Sequence, residues 1–233
     1  MCDIVQAWEH GTAVRCTSMP EWWDYNSVRV EGPDPEVDAQ TLMRVADQLL
    51  DGLAHRQIEV EDQAAGERLR PAFEAAGWST ERLAWLERSG PAPAGEDFDE
   101  VPFADTRDLR LEWMRSLPWM NDESAIERFV AHEDTVAEVR NTRTLVARGA
   151  DGVPIGYVSF GTEAGGAEVE QAYVTSRLRG RGLGGALVSA AVRAAGAEDT
   201  FIIADDEGDP KRLYARLGFE PVWIQHVFLR RPG

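Results

Sequence analysis

"VTSRLRGRGLGGALV", residues 174–188, decides how the rest of the chain is read. Arg179, Gly182 and Gly184 spell Arg-x-x-Gly-x-Gly between a strand pattern and a helix pattern. Glycines let backbone approach a ligand closely, successive amides turn into one concavity, and a helix N-terminus adds partial positive charge. Such a stretch is suited to cradle an anion such as a pyrophosphate, with Arg177, Arg179 and Arg181 around it. The plain alternative is a glycine-rich turn with exposed arginines. A second alternative is the dinucleotide fingerprint, since Gly180, Gly182 and Gly185 also spell Gly-x-Gly-x-x-Gly and Asp205 lies 20 residues beyond Gly185. Against it, five residues separate Val174 from Gly180 where that fingerprint expects an immediate turn, and the strands before it form a meander.

Outward from this loop, "TRTLVAR" (142–148) and "PIGYVSF" (154–160) flank "GADG", whose Asp-Gly is a hairpin signal. "AEVEQAYV" (167–174) alternates as a third strand after the turn "EAGG". Leu183, Leu187, Ala190 and Ala191 share one face of a helix that Gly196 ends. "TFIIAD" (200–205) reads as a short buried strand, Asp209 as an N-cap with Pro210 at the first helical position, and "FEPVWIQHVFLRR" as closing strands. Upstream, "DEVPFA" reads as a strand and "DLRLEWMRSLPWM" and "DESAIERFVAHED" as two helices. The order is strand, two helices, three-strand meander, helix, strand, helix, strand.

"RPAFEAAGW" (70–78) and "KRLYARLGF" (211–219) match at a constant offset of 211 − 70 = 141. Before and after the earlier copy run strand "NSVRVEG", helix "DAQTLMRVADQLLDGL", strand "RQIEVED", helix "ERLRPAFEAAG" and strand "STERLAWLE", the back half of the later order. This predicts an internal repeat whose first copy is truncated. "SGPAPAGEDFDE" (89–100) reads as the linker between a segment 1–95 and a segment 96–233.

Composition narrows the function. A net charge of −17 argues against nucleic acid, whose phosphates call for a basic surface. A cationic small molecule or a basic peptide suits an acidic chain better. Cys2 and Cys16 are too few for a disulfide framework, and His10, His55, His132 and His226 are scattered, so no metal is expected. Asp3 and Glu9 sit where a secretory signal carries positive charge, and no apolar run has membrane-spanning length, so the expectation is a cytoplasmic protein without membrane partners, a monomer or homodimer.

With Arg179-Gly-Arg-Gly182-Leu-Gly184 after "AEVEQAYV", and "LYARLGFEPV" some thirty residues later, the segment from about 96 to 233 resembles the GNAT superfamily of acetyl-CoA-dependent N-acetyltransferases. The whole is similar to tandem GNAT proteins with a degenerate N-terminal repeat. The resemblance implies a mixed α/β sheet and transfer of an acetyl group from acetyl-CoA to a primary amine of a small molecule or peptide, in a ternary complex. It implies that Arg179, Gly180, Arg181, Gly182, Leu183 and Gly184 hold the coenzyme pyrophosphate, and that the backbone of Ala172, Tyr173 and Val174 pairs with the pantetheine arm. An acyl-CoA-binding sensor without catalysis is the alternative.

Such transfer needs a base for the amine proton, donors for the developing oxyanion and an acid for the departing thiolate. Glu168 and Glu170 lie two apart on one strand and so share a face. By resemblance Glu168 stands where some members have the base, with Glu170 or a water chain as alternatives. Both residues also read as solvated strand carboxylates. Tyr214 matches the family tyrosine near the thiol sulfur; otherwise it is a half-buried helix aromatic. Trp113 and Trp119 fall where the family shapes the acceptor pocket, though core packing explains them too. Asp205 and Asp206 stand where many members have Asn, and line the acceptor side or simply solvate a strand end.

Overall fold

The protein is described by a computed structural model covering residues 2–33, 36–163 and 165–232. In chain order the elements are β1 (Ile4–Trp8), β2 (Gly11–Arg15), β3 (Ser27–Val30), α1 (Ala39–Leu49), β4 (Arg56–Val60), α2 (Gln63–Ala75) and β5 (Ser79–Ser89). They continue as β6 (Asp99–Val101), α3 (Arg107–Arg115), α4 (Glu123–Arg140), β7 (Arg143–Arg148), β8 (Pro154–Glu163), β9 (Gly166–Val174), α5 (Leu183–Ala195), β10 (Asp199–Asp205), α6 (Asp209–Arg216) and β11 (Glu220–Arg230). The class is mixed α/β, and from β6 onward the element order is the one read from the sequence.

Two compact units emerge, and they divide the chain differently from the linker. The first holds residues 1–85, 204–208 and 221–233; the second holds 86–203 and 209–220. The cause is strand pairing. β11 runs antiparallel to β4, with His226 opposite Val60 and Phe228 opposite Ile58, so it completes the first unit's sheet although it follows the second unit in sequence.

In the first unit the strand order is β1-β2-β3-β4-β11-β5. β3 and β4 are parallel, as a crossover through α1 requires, and the remaining registered pairs are antiparallel. Alternate residues Val28, Val30, Ile58 and Val60 meet Leu42, Ala46, Leu69 and Phe73 in one apolar core. The β1–β2 hairpin has no counterpart in the sequence reading. Most of β1 is exposed, so it lacks the alternation that marks a half-buried strand.

In the second unit the order is β5-β10-β9-β8-β7-β6. β7 to β9 form the three-strand antiparallel meander, β6 pairs antiparallel with β7 across the two helices between them, and β10 joins β9 in parallel. The Asp-Gly turn closes as expected, with Gly149 N–H on the Val153 carbonyl at 2.8 Å. The "EAGG" turn includes Ala164, outside the described residues. The closing segment is one strand rather than several, and α6 begins at Asp209 itself, one residue before the expected start.

The repeated stretches share their geometry. At the end of α2, Trp78 N–H bonds the Phe73 carbonyl at 3.0 Å and Gly77 N–H bonds Glu74 at 3.0 Å; at the end of α6, Phe219 bonds Tyr214 at 3.1 Å and Gly218 bonds Ala215 at 3.1 Å. Both are Schellman caps, and both glycines carry the positive φ, 79° and 86°, that the motif requires. Each cap also stacks its two aromatics edge to face: Phe73 with Trp78 at 5.1 Å, Tyr214 with Phe219 at 6.1 Å.

Phe73 is fully buried and stacked on Phe228 at 4.1 Å, where a phenol would have to surrender its hydration. Phe73→Tyr is therefore expected to lower unfolding free energy by about 1–3 kcal/mol, read from urea midpoints.

Candidate functional site

The Gly-rich loop borders a cleft of about 630 Å³ within the second unit. Its lining comes from the end of β9 (Ala172, Val174), the loop and first turn of α5 (Leu178, Arg179, Gly180, Gly182, Leu183, Gly184, Gly185) and α6 (Asp209, Pro210, Leu213, Tyr214, Arg216).

At the α5 end of the cleft, Gly182 is the N-cap, in the left-handed region at φ 88°, with no side chain capping the helix. The first amides of a helix have no intrahelical acceptor, so those of α5 are donors in search of one. Gly180, at φ 75°, turns the loop, and a Cβ on either glycine would point into open space while straining the backbone. α5 itself packs close because Gly185 leaves room for Leu213, which a Cβ would approach to 3.2 Å. Of the sequence-predicted loop residues, Arg179, Gly180, Gly182, Leu183 and Gly184 line this concavity, and Arg181 is not among the lining residues. Arg177, Arg179 and Arg181 are all exposed.

The wall of the cleft is a strand that has lost a neighbour. β9 and β10 pair at Ala167–Thr200, Glu168–Phe201 and Val169–Ile202, and the pairing ends there. On its other edge β9 stays registered with β8 as far as Val174, across a register shift that leaves Glu170 as an extra residue. A bulge of this kind bends a strand and increases its twist. Gln171–Val174 consequently have no β10 partner among the described residues.

The bulge also sorts side chains. Ala172 and Val174 line the cleft, whereas Glu168, Glu170, Gln171 and Tyr173 meet groups from β8 and the α3–α4 region. Glu168 and Glu170 share a face as expected, and one side chain, Arg140, reaches both, at 3.1 and 3.4 Å. They differ in setting. Glu168 is a third exposed, while Glu170 is more buried, accepts from Thr142 Oγ1 at 3.0 Å, and has its carboxyl pushed up by desolvation. Tyr214 lines the cleft from α6, and burial raises its phenol, which keeps it protonated.

The acceptor-side residues do not gather in one place. Trp113 packs beside the cluster of Leu109, Val146, Tyr157 and Tyr173, and 6.5 Å from the Phe129 ring. Trp119 is half-buried in the turn after α3. Asp205 and Asp206 belong to the first unit and are not among the cleft-lining residues. There Asp206 pairs with Arg82 at 3.1 Å and Asp205 accepts the Glu207 amide at 2.9 Å.

Sequence reading passed over a buried ionic group on α3 and α4. Arg110 is fully buried, over the Phe103 ring, donating to the Val130 carbonyl at 2.9 Å and to Asp134. Glu133 lies 3.5 Å from the same guanidinium. One cation thus faces two carboxylates, and Asp134 makes the direct bond. Desolvation pushes Glu133 up to about 7. Its signal was periodicity: Ile126, Phe129, Val130 and Ala137 are the buried positions of α4, and Glu133 falls on their stripe.

The acetyltransferase (GNAT) domain family profile matches residues 140–221. A search of curated proteins finds no match. Among solved structures, a conserved protein of unknown function from Staphylococcus epidermidis is similar over 100% of this chain and 95% of its own, with a TM-score of 0.80 and 14% identity. A GCN5-related N-acetyltransferase from Kribbella flavida is similar over 99% and 90%, at TM-score 0.59 and 19% identity. A tandem GNAT protein from the clavulanic acid biosynthesis pathway covers 83% of this chain and 70% of its own, at TM-score 0.54 and 18% identity. At these identities the likeness is one of fold.

A carboxyl that folding raises from the ordinary 4.5 to about 7 takes up a proton on folding. Its stabilising contribution is fully present below pH 4.5 and is lost as pH rises through 7. Glu133→Gln should therefore raise stability at pH 8 by roughly 1–3 kcal/mol and leave it nearly unchanged at pH 4.5. Urea titrations at the two pH values check this.

Proposed function

We propose that this protein, whose residues 140–221 match the acetyltransferase (GNAT) domain profile, is an N-acetyltransferase that passes an acetyl group from acetyl-CoA to a primary amine of a small molecule or peptide. The observation that carries the reading is the uncapped α5 N-terminus, with Gly180 and Gly182 at positive φ, set at one end of a cleft whose wall is an unpaired strand edge.

The residues present fit the donor. The α5 amides from Leu183 onward, with Arg179 and Arg181 beside them, suit a pyrophosphate, since an open helix N-terminus favours an anion. The free edge at Gln171–Val174 offers backbone donors and acceptors to an amide-bearing arm, as an added strand would. Bound acetyl-CoA supplies the acetyl group as a thioester. In the transfer a nitrogen–carbon bond forms, the carbon–sulfur bond breaks, the amine gives up a proton and the sulfur needs one.

Glu170 is assigned to receive the amine proton. Desolvation raises its carboxyl, whereas Glu168 is more exposed, and Arg140 reaches both. Tyr214 is assigned to protonate the sulfur, its phenol kept neutral by burial in the cleft wall.

The first unit is assigned no catalysis. The helix that corresponds to α5 there is α1, and its N-terminus is already occupied: the Asp38 carboxylate accepts the Thr41 amide at 2.7 Å. A fixed carboxylate in that position repels a phosphate. Phe73, which corresponds to Tyr214, is core.

Incubation with acetyl-CoA and a panel of amines, following thiol release, tests the assignment. Release with at least one amine is expected; coenzyme A binding without release would make the protein a sensor. Gly182→Glu should abolish coenzyme A binding in calorimetry, because a strained anionic side chain would stand at the phosphate seat. Tyr214→Phe should lower kcat by about tenfold or more with little change in coenzyme A affinity.

A further inference from the structure

We propose that Glu112 is a positioning residue for the acetyl donor: from α3 it fixes the backbone at Val174 by holding the side chains on either side of it. The proposal rests on the reading of the cleft as the donor site.

One carboxylate oxygen of Glu112 accepts both the Tyr173 hydroxyl, at 3.0 Å, and the Thr175 hydroxyl, at 2.6 Å. These residues flank Val174, whose side chain lines the cleft while theirs meet Glu112. Past Val169 the strand has no β10 partner among the described residues, so its position depends on β8 and on these anchors. Thr175 is held a second time, by its amide on the Ile155 carbonyl at 3.0 Å. Bonds from hydroxyls to an ionised carboxylate are stronger than neutral ones, and two of them bracketing one residue leave its dihedrals little freedom.

The same anchor reaches the loop. Arg179 donates from Nε to the Val174 carbonyl at 3.0 Å and lies with its guanidinium 5.3 Å from the Tyr173 ring centre. Displacing the Val174 carbonyl or the Tyr173 ring would therefore displace an arginine of the pyrophosphate cradle. Glu112 governs the strand edge and the cradle together, without itself lining the cleft.

The test compares Glu112→Ala, Glu112→Gln, the pair Tyr173→Phe with Thr175→Val, and the triple variant, by coenzyme A calorimetry and thermal melting on the full chain. Glu112→Ala should weaken coenzyme A binding about tenfold, and Glu112→Gln, whose amide oxygen accepts both hydroxyls, should recover to within about threefold of wild type. The Tyr173–Thr175 pair should match Glu112→Ala, and the triple variant should lose no more than either. Wild-type coenzyme A affinity in Glu112→Ala, no recovery with Gln, or additive losses would each overturn the proposal. A lowered melting temperature with unchanged affinity would mark Glu112 as a fold anchor only. If the wild-type chain itself binds no coenzyme A, the donor-site reading falls and this proposal with it; if it binds and Glu112→Ala binds equally, this proposal alone falls.

Discussion

The second unit depends on one interrupted ladder. β9 keeps its hydrogen bonds to β10 only as far as Val169, because the extra residue at Glu170 turns the strand away. Backbone groups left without partners are costly when buried, so an interruption of this kind persists only at a surface that water or a ligand can reach. The cleft supplies that surface, and its contents follow from the interruption. Leu213 and Tyr214 of α6 line the opened side, α5 presents its uncapped end, and the strand edge is steadied from behind by α3. A straight β9 would close the cleft and return Glu170 to ordinary strand alternation.

The two units give opposite answers to the same problem of helix ends. α1 satisfies an orphan amide with its own Asp38; α5 leaves its amides to whatever enters the cleft. The first arrangement favours stability, since an N-cap carboxylate satisfies an amide that would otherwise have no partner in the helix. The second forgoes that contribution and keeps a site. The second pair of matching helices, α2 and α6, ends alike: the Schellman caps at Gly77 and Gly218 make the same two backbone bonds.

Much of this was legible in the sequence because it is local. Glycines at fixed offsets, an Asp-Gly turn and an apolar stripe ending at Gly196 act within a few residues, and the meander, the loop and α5 followed from them. What stayed hidden is long-range. Glu112 looks like an ordinary helix acid until β9 brings Tyr173 and Thr175 to it, 61 and 63 residues away in sequence. Arg110 gives no local sign of burial either, since its stem packs and its head is met by Asp134 from another helix. Glu133 was legible in principle, as a carboxylate on an apolar stripe. The linker at 89–100 is where composition changes, yet strand pairing does not respect it, because β11 is chosen by β4 and not by its neighbours in sequence.

That choice bears on how the chain comes off the ribosome. The second unit's elements through α6 are synthesised before β11, so they can fold as they emerge. The first unit is made earliest and yet must wait, its β4 edge open and its Phe73 without Phe228, until β11 has been translated. During that interval an exposed hydrogen-bonding edge beside an unfilled apolar core is the kind of surface that misassociates. Early synthesis and late completion thus leave the β4 edge and the Phe73 core open for most of the time the chain is being made.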